Sequence, residues 1–470
     1  MKVLFIYPNL MRQENISLGI AYISASLKAC GHNTYLVDYT WGGRVKDTIL
    51  AVKKFGPDLV AFSIRSGEFT FCLRISRKLK DYFGSDIKII FGGVHPTIDP
   101  EGVVREDCVD LVCVGEGEQA IAELCQKMEK KERIDQIKNI WVKEDGMVKR
   151  NDVRDLIENL NEVPFPDRDI FDMERYISSR DGAIDMIVSR GCPYQCTYCI
   201  NPILQNLYER KGKFVRRRSV NNVISEISDI YGKYKVKHIS FQDDIFPSSL
   251  EWLREFSERF PKHSDLDFFC NVRAESVTPE MCKYLKQNGC SSINIGVESG
   301  SEWIRENILN RKISNERLVT AFKICRREGL ATYSFNMIGI PYETVSHIKE
   351  TIELNKRIQP TFLQVSIFQP YPGTRLKRLC VEKKWYDGKI LPYSHQFFSM
   401  LKYPQISRTR IYWEKIFFRY KILKDRSLRK AVLILIYDCC FYYLTMLRAL
   451  VPGPLKARAN RIFRFMSRSE

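Results

Sequence analysis

The chain has 470 residues, of which 44% are hydrophobic and 28% charged, and a formal net charge of +18. That length exceeds one ordinary core and predicts two or three domains, and the composition excludes a disordered chain. The opening MKVLFIYPNL is an apolar strand with neither the basic start nor the small-residue cleavage site of a secretory signal. The fifteen cysteines therefore read as reduced thiols of a cytoplasmic protein, not as a disulfide framework.

Residues 1–145 alternate short apolar strands (KVLFIYP, TYLVDY, LVAFSI, IKIIFGG, DLVCVGEG) with helical patterns, the first around Leu18 to Ala29. This alternation predicts right-handed βαβ crossovers and a doubly wound, Rossmann-like parallel sheet. Ligands of such sheets bind beyond the carboxyl ends of the strands. Pro8, Asn9, Ser63, Gly92, Gly93, His95, Gly115 and Glu116 are thereby expected around one crevice. Residues 146–180 are polar, with Pro164, Pro166 and an acidic cluster, and read as a linker.

Between 181 and 385 the alternation resumes with six strand-helix steps, including helices after Glu302 and Glu343. Six is too few for a closed eight-fold barrel and fits a partial (β/α)6 barrel of the TIM type, whose chemistry sits at the carboxyl ends of its strands. Residues 386–470 are basic, aromatic and mostly helical. From Leu401 to Glu470 there are 16 Lys and Arg against 4 Asp and Glu, so two thirds of the net positive charge lies there.

Within that tail, Ala431 to Val451 is apolar apart from Asp438 and Arg448. It just reaches the roughly 20 residues of a membrane span, but a central acid costs on the order of 2.5–3.5 kcal/mol there. Asp438, Tyr442 and Thr445 share one helical face, which predicts an amphipathic helix. Arg426, Arg429 and Lys430 precede it and Lys456, Arg458, Arg461 and Arg464 follow, with Phe463, Phe465 and Met466 interleaved. Such a helix suits a membrane interface better than nucleic acid; the alternative is a helix packed over the barrel mouth.

The sharpest signal follows the first barrel strand: Ser189-Arg190-Gly191-Cys192-Pro193-Tyr194-Gln195-Cys196-Thr197-Tyr198-Cys199. Three cysteines within eight residues form a soft, thiolate-rich set that suits iron-sulfur or zinc. Structural zinc needs a fourth ligand, and no matching second pair is evident. Four thiolates usually hold a [4Fe-4S] cube, so three leave one iron open. The spacing C-x3-C-x2-C, with Tyr198 before the last cysteine, strongly resembles the signature of the radical S-adenosylmethionine (SAM) superfamily.

That resemblance implies that Cys192, Cys196 and Cys199 hold a [4Fe-4S] cluster whose open iron binds SAM. One electron from a reductant such as flavodoxin or ferredoxin then cleaves the sulfonium to a 5′-deoxyadenosyl radical. It continues through Asp243 and Asp244 after the second strand, Asn271 and Arg273 after the third, Gly296-Val297-Glu298-Ser299-Gly300 after the fourth, Gly339-Ile340-Pro341-Tyr342-Glu343-Thr344 after the fifth and Pro370-Tyr371-Pro372-Gly373-Thr374 after the sixth. SAM contacts are implied for Tyr198, Asp243, Asp244, Asn271, Arg273, Glu298, Ser299, Gly339 and Pro341. The aspartate pair has a plainer reading as a helix cap.

The N-terminal unit resembles the cobalamin-binding domain that precedes the barrel in a large group of these proteins. The Asp-x-His-x-x-Gly element that supplies a histidine to cobalt elsewhere is missing, which does not exclude the cofactor, since members of this group often bind it without that histidine. His95 either approaches the corrin or fixes its own turn. The leading expectation is cobalamin-dependent methylation of an unactivated carbon on a hydrophobic or lipid-like substrate, by a cytoplasmic enzyme peripheral to the inner membrane face. A cobalamin-free radical SAM enzyme for C-C bond formation, cyclisation or rearrangement is the first alternative, and a non-catalytic cluster-binding scaffold the second. The first domain, whose Cys30, Cys72, Cys108, Cys113 and Cys125 do not match a further cluster, and the helical tail lack the marks of a tRNA methylthiotransferase, and no acid, base or radical-quenching residue stands out.

Overall fold

The computed structural model describes residues 1–144, 146–246, 249–260, 266–388 and 398–446, with side chains described as far as Cys440. Tyr442, Thr445, the basic residues from Arg448 onward and Phe463, Phe465 and Met466 thus lie outside the described side chains.

The N-terminal sheet has the strand order β2-β1-β3-β4-β5-β6-β7. Strands β1 (Lys2–Tyr7), β2 (Asn33–Asp38), β3 (Leu59–Ser63), β4 (Lys88–Gly92) and β5 (Leu111–Cys113) run parallel. Val3, Leu4, Phe5 and Ile6 are all buried, the continuous apolar run expected of a strand covered on both faces. Two antiparallel strands, β6 (Ile140–Glu144) and β7 (Met147–Lys149), extend the sheet. The boundary expected at 145 therefore falls inside a hairpin. In the sequence the Asp145-Gly146 dipeptide between these strands is a hairpin signal in its own right.

The central sheet is entirely parallel, in the order β15-β14-β13-β12-β11-β8. Its strands are β8 (Ala183–Met186), β11 (His238–Phe241), β12 (Asp267–Val272), β13 (Cys290–Glu298), β14 (Ala331–Ile338) and β15 (Phe362–Ile367). A short antiparallel pair, β9 (Ser189–Arg190) and β10 (Arg216–Arg217), stands apart from both sheets. Ser219, Ser249, Thr278, Ser314, Thr344 and Thr374 each accept a hydrogen bond from the backbone of the helix they precede, so side-chain caps fix where those helices start. The helix expected after Glu302 begins only at Asn315. Before it, Ile304–Ile308 forms a π-helical turn around the fully buried Arg305, which donates to the carbonyls of Ser299 and Ile313.

Residues 150–180 are packed. Phe171, Met173 and Tyr176 belong to one apolar cluster that runs from Val3 and Phe5 in the first sheet to Ile184 and Phe268 in the second. Tyr176 Oη donates to Asp38 Oδ2 at 2.6 Å, and Ser24 Oγ to Asp167 Oδ2 at 2.6 Å.

Two C-terminal helices, Arg408–Leu423 and Leu428–Met446, pack on each other, and the first also packs on β15 and the helix Val345–Ile358. Asp438, expected on a polar outer face, instead pairs with Arg419 of the neighbouring helix. The outer face is apolar, with Val432, Leu433 and Ile436 exposed by 41%, 38% and 53%. Among the described residues no helix is long and apolar enough to cross a membrane.

Candidate functional site

The three cysteines follow β9 and line a cavity of about 520 Å³ at the carboxyl ends of β11 to β14. Local geometry fixes their loop. Gly191 has φ +87°, and a Cβ there would lie 2.4 Å from the carbonyl oxygen of Phe214, so only glycine fits. Thr197 accepts the amide of Leu376 on its carbonyl, and its own amide donates to Leu309 in the segment after the π-turn. Arg273 Nη1 lies 3.6 Å from Cys196 Sγ, while the amide and side-chain nitrogens of Asn201 lie 3.5 and 3.6 Å from Cys199 Sγ. Burial raises the Cys192 thiol to about 11 and pushes Cys199 up as well. A coordinated metal ion deprotonates a thiol outright and so offsets that rise.

Opposed charges line the rest of this cavity. Glu298 sits at a register shift between β13 and β14 with φ 65°, a left-handed conformation that is strained for a residue with a side chain. Burial raises its pKa, and the guanidinium of Arg311, 3.6 Å away, opposes that rise. Arg311 also donates to Gly296 O at 2.7 Å and to Tyr198 Oη at 3.2 Å. Asn271, Asn294 and Asp244 complete a polar wall. The arrangement has donors and acceptors for a zwitterionic amino-acid head and for a ribose.

A second cavity, about 380 Å³, lies between the two sheets. Ser63, Gly92, Gly93, Gly115 and Glu116 line it at the ends of β3, β4 and β5, and Leu18, Tyr22, Ile200 and Leu204 make it apolar. Bare backbone at the ends of β4 and β5 lets a large flat ligand approach closely. Asn201 and Asp244 line both cavities, which therefore meet at this pair.

Not every expected residue reaches a cavity. Asp243 is 1% exposed and accepts the amides of Val188 at 3.1 Å and Ser189 at 2.6 Å. Burial raises its pKa to about 7. Adjacent residues of an extended segment point to opposite sides, so the aspartate pair divides: Asp243 braces the strand before the cysteines and Asp244 faces the cavities. Ser299 is enclosed beside Thr351. Gly339 gives its amide to Glu343 and its carbonyl to Tyr403, and neither it nor Pro341 lines either cavity.

On the N-terminal side Pro8, Asn9 and His95 are not among the lining residues. Asn9 binds Thr40 Oγ1 and Gln13 O, both at 2.7 Å. His95 Nδ1 lies 3.2 Å from Ser66 Oγ, and its ring packs on Phe69. Burial lowers its pKa to about 4, so the ring is neutral and ties the loops after β3 and β4. The sequence offered no sign of Arg311, Asn294 or Asn201, nor of Arg190, Arg216 and Tyr208 in the second cavity.

Fold and site together define a two-domain α/β protein in which a thiol-lined and a glycine-lined cavity adjoin, the layout of an enzyme working with two bound groups. Residues 186–354 match the radical SAM superfamily and residues 11–125 match the B12 binding domain. An uncharacterized methyltransferase of Pyrococcus horikoshii is 29% identical over 76% of this chain and 77% of its own. The hopanoid C-3 methylase of Methylococcus capsulatus is 21% identical over 80% of this chain and 71% of its own. A structure of the cobalamin-dependent SAM radical enzyme OxsB with aqua-cobalamin and SAM bound superimposes with a TM-score of 0.64 at 22% identity, over 82% of this chain and 55% of that one. The chain belongs to the radical SAM superfamily, in the group that joins a B12-binding domain to the radical SAM domain. It is a radical SAM enzyme, and its domains imply a [4Fe-4S] cluster, SAM and cobalamin.

The residues present fit these groups. Among the described residues no three His, Cys, Asp or Glu side chains are placed to share one metal ion. Thiolates of an iron-sulfur cube bind separate irons, and here the three thiols border one cavity. Hydrogen bonds to the sulfurs, as from Arg273 and Asn201, are the protein's usual means of tuning such a cluster.

Proposed function

We propose that this enzyme methylates an unactivated carbon of a hydrophobic small molecule. The observation that carries the reading is the junction at Asn201 and Asp244, where the thiol-lined cavity opens against the glycine-lined one. When bound, the cluster and SAM supply one-electron cleavage of a sulfonium, and the corrin supplies a methyl carrier.

The chain's own residues do the rest. Cys192, Cys196 and Cys199 hold the cluster, with Arg273 and Asn201 donating to two of the sulfurs. Asp244 and Glu298 accept from the ammonium of SAM, Asn271 and Asn294 bind its polar edges, and Arg311 pairs with Glu298 in a buried wall, opposing the rise that burial gives its pKa. Ser63, Gly92, Gly93, Gly115 and Glu116 form the corrin's bed. Phe335 and the apolar rim of the second cavity exclude water from the junction.

A hydrophobic substrate is supported by the outward apolar stripe of the last helix, beside the exposed Arg429 and Lys430, and by the relative named as a hopanoid methylase. That stripe suits the headgroup boundary of an anionic bilayer, which supports a peripheral position at the inner membrane face. Vesicle sedimentation tests it: Ile436→Asp should weaken binding to anionic vesicles, and equal binding would remove the membrane from the reading.

Anaerobic turnover tests the chemistry. Reconstituted protein with SAM, reductant and hydroxocobalamin should release S-adenosylhomocysteine as well as 5′-deoxyadenosine, and lipid extracts should gain one methyl mass when the gene is present. Release of 5′-deoxyadenosine alone, unaffected by corrin, would favour a cobalamin-free coupling or cyclisation instead.

A further inference from the structure

The glycine-flanked loop after β5, Gly115 to Glu118, does more than line a cavity. Arg190 and Arg216 are direct cross-strand partners in the β9–β10 pair, and like charges so placed repel. Two carboxylates from the segment after β5 offset that repulsion. Arg190 lies 2.5 Å from Glu118 and 3.3 Å from Glu116. Arg216 grips Glu116 with both terminal nitrogens, at 2.6 and 3.1 Å, a bidentate fork. Arg190 also lies over the ring of Tyr22, 5.2 Å from its centroid.

This four-charge knot is tied to the cysteine segment at both ends. Arg190 stands two residues before Cys192, joined to it through Gly191, which is pressed against Phe214. On the far side of the segment Tyr208 Oη accepts the Glu116 amide at 2.7 Å. Glu116 thus holds the start of the cysteine segment through its carboxylate and the end through its backbone. From the opposite side the Asp243 carboxylate grips Val188 and Ser189. All four charged residues and Tyr208 line the glycine-lined cavity.

We propose that Glu116, Glu118, Arg190 and Arg216 are positioning residues, an interdomain clasp through which a ligand in the glycine-lined cavity and the geometry of the cysteine loop set one another. The inference rests on the reading above, that corrin fills the one cavity and the cysteines hold the cluster. Coupling of this kind is reciprocal, and because the clasp holds the cysteine segment and the glycine-lined cavity in one arrangement, filling either favours the other: corrin binds more tightly to iron-loaded than to iron-free protein.

The test compares hydroxocobalamin affinity, followed by visible absorbance, for full-length protein with and without reconstituted iron. In the wild type the two dissociation constants should differ by about tenfold, within the usual range of coupling between sites. Glu118→Gln, which keeps the shape of the side chain, and Tyr208→Phe, which removes the hydroxyl that accepts the Glu116 amide, should both bring the ratio toward one. The EPR spectrum of their reduced, SAM-bound cluster should no longer respond to corrin. Arg150→Met, which breaks the exposed pair with Glu101, is the charge-removal control and should leave the ratio unchanged. A ratio unaltered in Glu118→Gln and Tyr208→Phe would overturn the clasp, as would a ratio of one in wild type that binds both iron and corrin. Wild type that binds neither would overturn the proposed function itself.

Discussion

The two cavities solve the binding of a group in opposite ways. The thiol-lined one is built from long, charged side chains that hold each other in place: Arg311 against Glu298, Arg273 against Cys196, Asn201 against Cys199. The glycine-lined one opens on bare backbone at the ends of β4 and β5 and on an apolar flank, and its charged residues Glu116, Glu118, Arg190 and Arg216 pair with one another. Recognition in the first therefore depends on charge and is undone by removing a partner. Recognition in the second depends on shape and is undone by adding atoms.

The largest expected effect tests how far the two sites can be separated. Cys196→Ala should abolish iron binding and SAM cleavage while still binding hydroxocobalamin, about tenfold more weakly as the clasp requires; complete loss of corrin would show that the cavities are one site. Next, Arg311→Met leaves Glu298 buried without its counter-charge, and breaking a buried pair in this way costs about 3–5 kcal/mol. Chemical denaturation of the anaerobic protein should show a loss of that order, together with weaker SAM binding.

For the shape-dependent cavity the matching change is Gly115→Ala. Gly115 has φ +86°, and a Cβ would fall 2.0 Å from Tyr208 Oη. The strain is expected to cost about 1–3 kcal/mol and to weaken corrin binding with iron content unchanged. Iron lost along with corrin would blur the contrast.

The smallest effect concerns pH. Glu343 is fully enclosed, and burial raises its pKa to about 8 even though the amides of Gly339 and Ile340 oppose the rise. Between the ordinary carboxyl value and about 8 the folded protein keeps a proton that the unfolded chain releases. This group's contribution to stability is therefore complete in acid, declines as pH rises through that window and levels off above it. Glu343→Gln removes the slope, so thermal melts should show the variant gaining on wild type between pH 6 and pH 9. A constant gap would mean that Glu343 stays ionised.

The same contrast explains what the sequence could tell. The thiol-lined cavity was legible because its metal ligands must lie close together in the chain, and the strand-end motifs repeat at βα spacing. Which aspartate of Asp243-Asp244 faces the cavity was not legible, because alternation fixes that the two diverge and not which way each goes. Arg311 stayed hidden because it lies in a polar stretch more than a hundred residues beyond the cysteines. Of the glycine-lined cavity the strand-end residues Ser63, Gly92, Gly93, Gly115 and Glu116 were visible, because strand ends are where such sheets bind. Leu18 and Tyr22 look like any helix that faces a core, and the ion pairs of Glu116 and Glu118 stay hidden until Arg190 and Arg216 are brought against them. The polarity of the last helix was misjudged for the same reason, since the partner of Asp438 sits on another helix.

The central sheet ends at β8 on one side and β15 on the other, so its wall is a horseshoe. A closed ring would cap the size of anything reaching its centre, whereas a gap in the wall sets no such limit. A long, greasy molecule could lie through the opening with most of its length outside and present a single carbon to the meeting point of Asn201 and Asp244. Selectivity would then rest on the few atoms near that carbon, and chains that differ only at their far ends would be treated alike.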